Sequence, residues 1–149
     1  MGAREQAIDD IRHFNRHYIP LMHLLEPRYL DTGYSTMECD ILFEISAHRD
    51  CTATELVGLF GVDKGYLSRM LSTLERDGLI ERRPSDADRR ARLLRLTDKG
   101  GAFISELTVK GREVVGSALL GASDDECAEM AACMRRVLDI LDAASRRGA

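Results

Sequence analysis

Apolar residues recur at helical spacing along the chain, and residues that start or stop helices bound each segment. Between Asp63 and Asp77 the apolar positions follow the i, i+3, i+4, i+7 pattern of a helix with one buried face: Leu67, Met70, Leu71 and Leu74. Asp63 can cap the N-terminus of this helix, and Gly78 can end it. The pattern predicts an amphipathic helix whose polar face includes Lys64, Gly65, Tyr66, Ser68 and Arg69.

Three capping boxes indicate further helix starts. A hydroxyl residue precedes a glutamate by three positions in STME (35–38), TATE (52–55) and SDDE (123–126). Each pair can satisfy backbone N–H groups that a helix start leaves without partners. Helices are therefore predicted to begin near residues 36, 53 and 124, and the second is predicted to end at Gly61.

Long helices are also predicted at both ends of the chain. The first apolar stripe runs from Ile8 to Leu25 and contains Pro20, at which we expect a kink or a break. Because apolar faces on the outer helices of a small protein need a partner, we expect a second copy of the chain to cover them. The dimerisation helices are placed at about 5–30 and 98–145.

Two short segments after the amphipathic helix, 79–83 and 91–96, read as strands, and the turn-forming sequence PSDAD (84–88) joins them. A short helix, a tight turn, a second helix and a hairpin follow one another, which is the order of a winged helix-turn-helix. The predicted fold is mainly α with a small β-hairpin wing, in one domain over 1–149, with the winged helix-turn-helix at about 36–96.

Charge changes the interpretation of this region. The 149-residue chain has a net charge of -4, yet residues 61–95 contain nine basic and six acidic side chains, a net of +3, which leaves -7 for the remainder. A local basic face favours double-stranded DNA as the partner, although a solvated charged hairpin is the alternative. Beside the helix residues above, the candidate DNA contacts on the wing are Arg82, Arg83, Asp88, Arg89, Arg90 and Arg92.

Several other classes of function find no support. The chain has no run of 18 apolar residues and its N-terminus is charged, so we expect a cytoplasmic protein that does not enter a membrane. The four cysteines form no Cys-x-x-Cys pair, and Cys39 and Cys51 are expected to be buried thiols, with oxidation as the alternative. We expect no enzymatic activity, no cofactor and no metal site.

The motifs between residues 52 and 100 resemble those of the MarR-type winged helix-turn-helix transcriptional regulators. They are Thr52-x-x-Glu55-Leu56, VDKGYLSRMLSTLERDGLIERR and DADRRARLLRLTDKG, although Val57 replaces the alanine usual in such units. The resemblance implies a homodimer, held by the first and last helices, that binds a pseudo-palindromic operator, usually as a repressor. It also implies that Asp88 orients Arg90 into the minor groove, with Arg89 as second candidate, while Arg82, Arg83 and Arg92 meet phosphates.

More narrowly, FNRHYIPLM and DKGYLSRML look like the MarR half of proteins that fuse a MarR domain to a GNAT acetyltransferase. The chain contains no Arg/Gln-x-x-Gly-x-Gly/Ala segment of the kind that binds acetyl-CoA. A regulatory or protein-interaction half of an acetyltransferase system is therefore one alternative function. A thiol-based redox sensor is another, although the first helix lacks the reactive cysteine of peroxide-sensing relatives.

Many relatives release DNA when a small aromatic or phenolic acid binds near the dimerising helices. In the first helix His13, Arg16 and His17 are the candidates for such an effector site, because Arg16 can pair with a carboxylate and the two histidines share one helix face. Ordinary surface or dimer-interface polarity is the alternative. The two histidines alone do not make a zinc site.

Overall fold

The structure, a computed structural model, describes residues 2–148, which form six α-helices and one antiparallel hairpin. The elements are α1 (Ala3–Leu21), α2 (Thr36–Ala47), α3 (Ala53–Phe60), α4 (Lys64–Arg76), β1 (Ile80–Pro84), β2 (Arg92–Leu96), α5 (Asp98–Ala118) and α6 (Asp124–Gly148). A single 3-10 turn, Tyr29–Asp31, lies between α1 and α2. The prediction of a mainly α fold with a hairpin wing is confirmed.

The chain divides into two compact units. The first extends to Val114 and contains α1 to α4, the hairpin and most of α5. The second begins at Val115 and contains the last residues of α5 and all of α6. Within residues 2–148, no helix has the length and apolar character needed to cross a membrane.

The capping boxes start helices where the sequence placed them. Ser35 Oγ accepts the backbone N–H of Glu38 at 3.2 Å, and the Glu38 carboxylate accepts the backbone N–H of Ser35 at 2.8 Å. Thr52 and Glu55 repeat this exchange at the start of α3. Helices α2, α3 and α6 begin at residues 36, 53 and 124, as predicted.

The first helix is shorter than the predicted 5–30. It ends at Leu21, one residue beyond Pro20, and the chain reverses through His23 at a φ of +57°. The backbone N–H of His23 donates to the Pro20 carbonyl and that of Leu24 to the Ile19 carbonyl, both at 3.1 Å. This hydrogen-bonded termination satisfies the last carbonyls of α1, so the break expected at Pro20 occurs although the apolar stripe continues past it.

The core lies in the first unit and is built by the helix-turn-helix, the wing and α5. The apolar face of α4 is buried as predicted, and the side chains packed against it come from α2, α3, the hairpin and α5: Ile41, Leu42, Leu56, Leu79, Ile80, Leu94, Ile104 and Leu107. Gly61 makes the tight turn between α3 and α4 at a φ of +61°, a conformation that glycine adopts without strain. The half-buried Val57 packs on this core.

The wing is an antiparallel pair whose strands start and end within one residue of the prediction. Ile80 pairs with Leu96 at its base and Pro84 with Arg92 near its tip. The loop before α3 adds a further contact, because the backbone N–H of Leu94 donates to the Cys51 carbonyl at 2.8 Å. The hairpin is therefore fixed to the helix-turn-helix by its backbone as well as by its apolar side chains.

Candidate nucleic-acid interface

The first turns of α4 present a polar face to solvent. Asp63 Oδ2 accepts the backbone N–H of Tyr66 at 3.0 Å, which caps the helix as expected. The five residues predicted on this face are all exposed: Lys64, Gly65, Tyr66, Ser68 and Arg69. Because Leu67 and Met70 between them are buried, the pattern that builds the core also fixes which side chains face outward.

The tip of the wing is a hydrogen-bonded turn. Ser85 Oγ accepts the backbone N–H groups of Ala87 and Asp88 at 3.2 and 3.4 Å. The backbone N–H of Ser85 donates to the Ala91 carbonyl at 3.0 Å, which closes the turn. These bonds give the tip a defined backbone conformation, so the backbone that carries the exposed arginines beside it is held in place.

Asp88 and Arg90 meet, but not through the side-chain pair that the family resemblance implied. Asp88 Oδ1 accepts the backbone N–H of Arg90 at 3.0 Å. No carboxylate oxygen of the described residues lies within 4.0 Å of a side-chain nitrogen of Arg89 or Arg90. The aspartate's short side chain reaches the main chain two residues on, as aspartates in turns commonly do, which leaves the Arg90 guanidinium without an acidic partner.

The remaining wing arginines divide into paired and unpaired groups. Arg82 Nε lies 3.2 Å from Glu75 Oε2 of α4, and Arg83 Nη2 lies 2.6 Å from Glu81 Oε1. Arg92 is exposed and, among residues 2–148, has no acidic partner in a salt bridge. Two of the five wing arginines expected to contact phosphates or the minor groove, Arg82 and Arg83, therefore have internal partners.

Two residues absent from the sequence prediction belong to this surface. Arg95 Nη2 of β2 lies 3.3 Å from Asp50 Oδ1, in the loop before α3. Glu75, on the last turns of α4, holds Arg82. Their positions in the sequence carry no signal for these contacts, because the partners lie 45 and 7 residues apart and meet only through the tertiary fold.

The candidate effector residues lie on α1, and all three are exposed. His17 Nδ1 lies 2.9 Å from the His13 carbonyl oxygen, and the two imidazole rings are 4.4 Å apart between centroids. The structure thus brings His13 and His17 together on one face. Within the part of the chain that is described, no three His, Cys, Asp or Glu side chains are placed to hold a metal ion.

Burial suppresses thiol chemistry at two of the cysteines. Cys39 and Cys51 are buried, and desolvation raises the pKa of each thiol to about 11. A thiolate is the reactive form of cysteine, so a higher pKa lowers reactivity at neutral pH. This environment argues against either residue as the sensor of a redox-responsive regulator.

Comparison with known proteins agrees with the geometry. Residues 32–91 match the family model described as the MarR family. A cysteine-to-serine mutant of MarR from E. coli, solved in complex with operator DNA, superposes with a TM-score of 0.69 at 26% identity, over 93% of this chain and 99% of that one.

Two curated relatives share more sequence over shorter stretches. The HTH-type transcriptional regulator PetP of Rhodobacter capsulatus is 38% identical over 97 residues, which are 64% of this chain and 56% of that protein. BilQ of Clostridioides difficile is 38% identical over 66 residues, which are 44% of this chain and 45% of that protein. The match thus spans about half the length of these relatives. Together with the helix order and the wing, the comparisons confirm the resemblance: the chain carries a MarR-type winged helix-turn-helix.

Proposed function

We propose that the protein is a sequence-specific DNA-binding transcriptional regulator that acts as a homodimer. The observation that carries this proposal is a set of exposed cationic side chains, on the first turns of α4 and on the wing, that have no carboxylate partner among the described residues: Lys64, Arg69, Arg89, Arg90 and Arg92. The regulators PetP and BilQ and the operator complex of MarR support the same function.

In the proposed complex α4 lies in the major groove. The residues at its N-terminal end then reach base edges, where Lys64 and Arg69 donate to guanine or phosphate and the Ser68 hydroxyl bonds to either. Tyr66, 45% exposed, adds an aromatic surface beside them. The wing follows the phosphate backbone, with Arg90 in the adjacent minor groove and Arg89 as the second candidate for that place.

Exposed apolar side chains support a homodimer. On α1, Ile8, Ile11 and Phe14 are 48%, 57% and 52% exposed, and on α6 Leu138 is 62% exposed. Large apolar side chains that line one face of a helix commonly mark an interface with another chain. In a two-fold dimer, two α4 helices engage half-sites about 34 Å apart on a pseudo-palindromic operator.

We further propose that the dimer represses transcription and that a small aromatic acid releases it from DNA. Arg16 is exposed and carries a guanidinium that can pair with a ligand carboxylate, and the adjacent His13–His17 face offers imidazole nitrogens and ring surface. A titration of the protein–DNA complex with benzoate and salicylate tests this part separately. Arg16→Ala is expected to abolish release without weakening DNA binding.

Salt dependence tests the DNA-binding proposal itself. The dissociation constant for DNA from the region upstream of the protein's own gene is measured between about 50 and 200 mM salt, where several phosphate contacts give a steep loss of affinity. Arg90→Ala is expected to weaken binding and to reduce the salt slope by about one. Arg83→Ala is the matched control, because Arg83 is already paired with Glu81, and it is expected to change the slope less. Binding that is absent or insensitive to salt would contradict the proposal.

A further inference from the structure

The C-terminal end of α4 is held by side chains from outside the helix. Tyr34 Oη, just before α2, donates to Asp77 Oδ2 at 2.9 Å. Lys99 Nζ of α5 donates to the Asp77 carbonyl, and Thr97 Oγ1 donates to the Gly78 carbonyl, both at 2.6 Å. These five residues, called the clasp below, connect the segments on either side of the helix-turn-helix to the end of α4.

The Tyr34–Asp77 bond joins a neutral donor to a charged acceptor. Burial and the hydrogen bond to Asp77 raise the pKa of Tyr34 to about 12, while the same bond is the main cause of a lowered pKa at Asp77. The phenol is therefore protonated and the carboxylate ionised at neutral pH. Hydrogen bonds of this charge-assisted kind are roughly twice as strong as neutral ones.

The aromatic ring of Tyr34 is also fixed in place. It packs on Phe103 of α5 in a T-shaped arrangement, with ring centroids 5.3 Å apart at an interplanar angle of 80°. The Tyr34 carbonyl accepts the backbone N–H of Tyr29 at 2.8 Å, and Ser35, the next residue, caps α2. Because its ring and backbone are both held, Tyr34 can act as a fixed point for α4.

A fixed C-terminal end matters for the N-terminal end of the same helix. The 13 residues of α4 span about 20 Å at the usual helical rise. A tilt of about 5° around the clasp would move the first turn by about 1.7 Å over that length. Such a displacement exceeds the narrow range of donor–acceptor distances, about 0.5 Å, in which hydrogen bonds to bases form.

We propose that Tyr34 is a positioning residue for DNA binding, which sets the orientation of α4 through Asp77 without touching DNA. The inference rests on the proposed function, and it adds a determinant of affinity outside the basic surface. Loss of the Tyr34 hydroxyl should weaken DNA binding while leaving the number of phosphate contacts unchanged.

The test compares two tyrosine-to-phenylalanine variants. Tyr34→Phe keeps the ring on Phe103 and removes only the hydroxyl that reaches Asp77. Tyr29→Phe is the matched control, because Tyr29 is also partly buried in the same unit and its hydroxyl makes no hydrogen bond within residues 2–148. Circular dichroism establishes that both variants are folded at the temperature of the binding assay.

Tyr34→Phe is expected to weaken DNA binding about five- to tenfold with the same salt slope as the wild type, and Tyr29→Phe to bind as the wild type does. Asp77→Ala should weaken binding similarly, the double variant should add little, and Asp77→Asn, which keeps an acceptor oxygen, should retain more affinity than Asp77→Ala.

Three results would overturn the inference. Equal affinity of the two tyrosine variants means that the hydroxyl has no role in DNA binding. A salt slope reduced by one in Tyr34→Phe means that the variant has lost a phosphate contact of a lysine or arginine, so that Tyr34 does not act on orientation alone. Fully additive losses in the double variant mean that Tyr34 and Asp77 act separately. Measuring the wild type in the same experiment separates the two proposals. If the wild type does not bind DNA, the proposed function is refuted as well. If the wild type binds DNA and Tyr34→Phe binds equally well, only the inference about Tyr34 is refuted.

Discussion

Replacing Gly100 with alanine should destabilise the protein more than its small size suggests. Gly100 is buried in the first turn of α5, and its backbone N–H donates to Thr97 Oγ1 at 3.0 Å. A Cβ atom at this position would lie 2.0 Å from the carbonyl oxygen of Leu79 and 2.9 Å from its carbonyl carbon. The obstacle is backbone, which cannot move aside as the end of a flexible side chain can.

The size of the destabilisation depends on how far α5 and Leu79 must move apart. Carbon and oxygen atoms in contact stay about 3.3 Å or more apart, so α5 and Leu79 would have to separate by more than about 1 Å. Overpacking of this kind costs about 1–3 kcal/mol. The Leu79 carbonyl also accepts the backbone N–H of Thr97 at 3.1 Å, a bond worth about 1 kcal/mol. The higher helix propensity of alanine offsets about 1 kcal/mol of this cost. Because the Cβ atom would lie so close to the Leu79 oxygen, we take the upper end of the overpacking range, and the net loss in the free energy of unfolding is about 3 kcal/mol.

Gly101 provides the matched control, since it lies next in the same helix and a Cβ there meets nothing within 4 Å. Gly101→Ala should stabilise by about 0.5–1 kcal/mol, because glycine is the poorer helix former. In thermal denaturation followed by circular dichroism, Gly100→Ala should lower the Tm by about 6–12 °C and Gly101→Ala should raise it by a few degrees. Equal Tm values for the two variants would refute the close approach of α5 to Leu79.

Three further predictions test the core, the cap of α4 and the thiols. Leu42→Ala, at a fully buried position, should cost about 2–5 kcal/mol in urea denaturation, whereas Leu59→Ala, at a side chain 61% exposed, should cost less than about 0.5 kcal/mol. Asp63→Ala should cost about 1 kcal/mol through loss of the cap on Tyr66, and Asp63→Asn, which keeps an acceptor, should cost little. Because Cys39 and Cys51 have pKa values raised from 9.0 to about 11, the stability they contribute is complete below pH 9 and lost as pH rises towards 11. In mass-spectrometric mapping at neutral pH, iodoacetamide should modify exposed Cys133 before either of them, and a reversed order would contradict their burial.

The features that the sequence predicted correctly are set by local chemistry. A capping box needs only residues three positions apart, so the starts of α2, α3 and α6 could be placed within a residue. The buried face of α4 follows from its own periodicity in the same way. The exposure of Lys64 and Arg69 follows as well, because the side chains on the face of α4 opposite the buried one point to solvent.

Features that depend on distant residues were not predictable. The bond between Tyr34 and Asp77 joins positions 43 apart, and no motif indicates it. Apolar periodicity also did not indicate the end of α1, since apolar residues continue at helical spacing past Pro20, whereas the proline itself predicted the break and the helix ends at Leu21. Periodicity reports which side chains can be buried together, and it does not report where the backbone finds other partners.

The pairing of the wing arginines decides which of them can contribute most to DNA binding. Arg82 would have to leave Glu75 before it met a phosphate, and the carboxylate left behind would repel that phosphate. Arg90 meets no such cost, because Asp88 uses a carboxylate oxygen on the backbone N–H and the guanidinium stays free. A narrow, negative minor groove attracts an unpaired guanidinium most strongly. In the proposed complex, the cationic side chains at the tip of the wing and at the start of α4, which have no carboxylate partner within residues 2–148, therefore contribute more to DNA binding than Arg82 and Arg83, which have carboxylate partners.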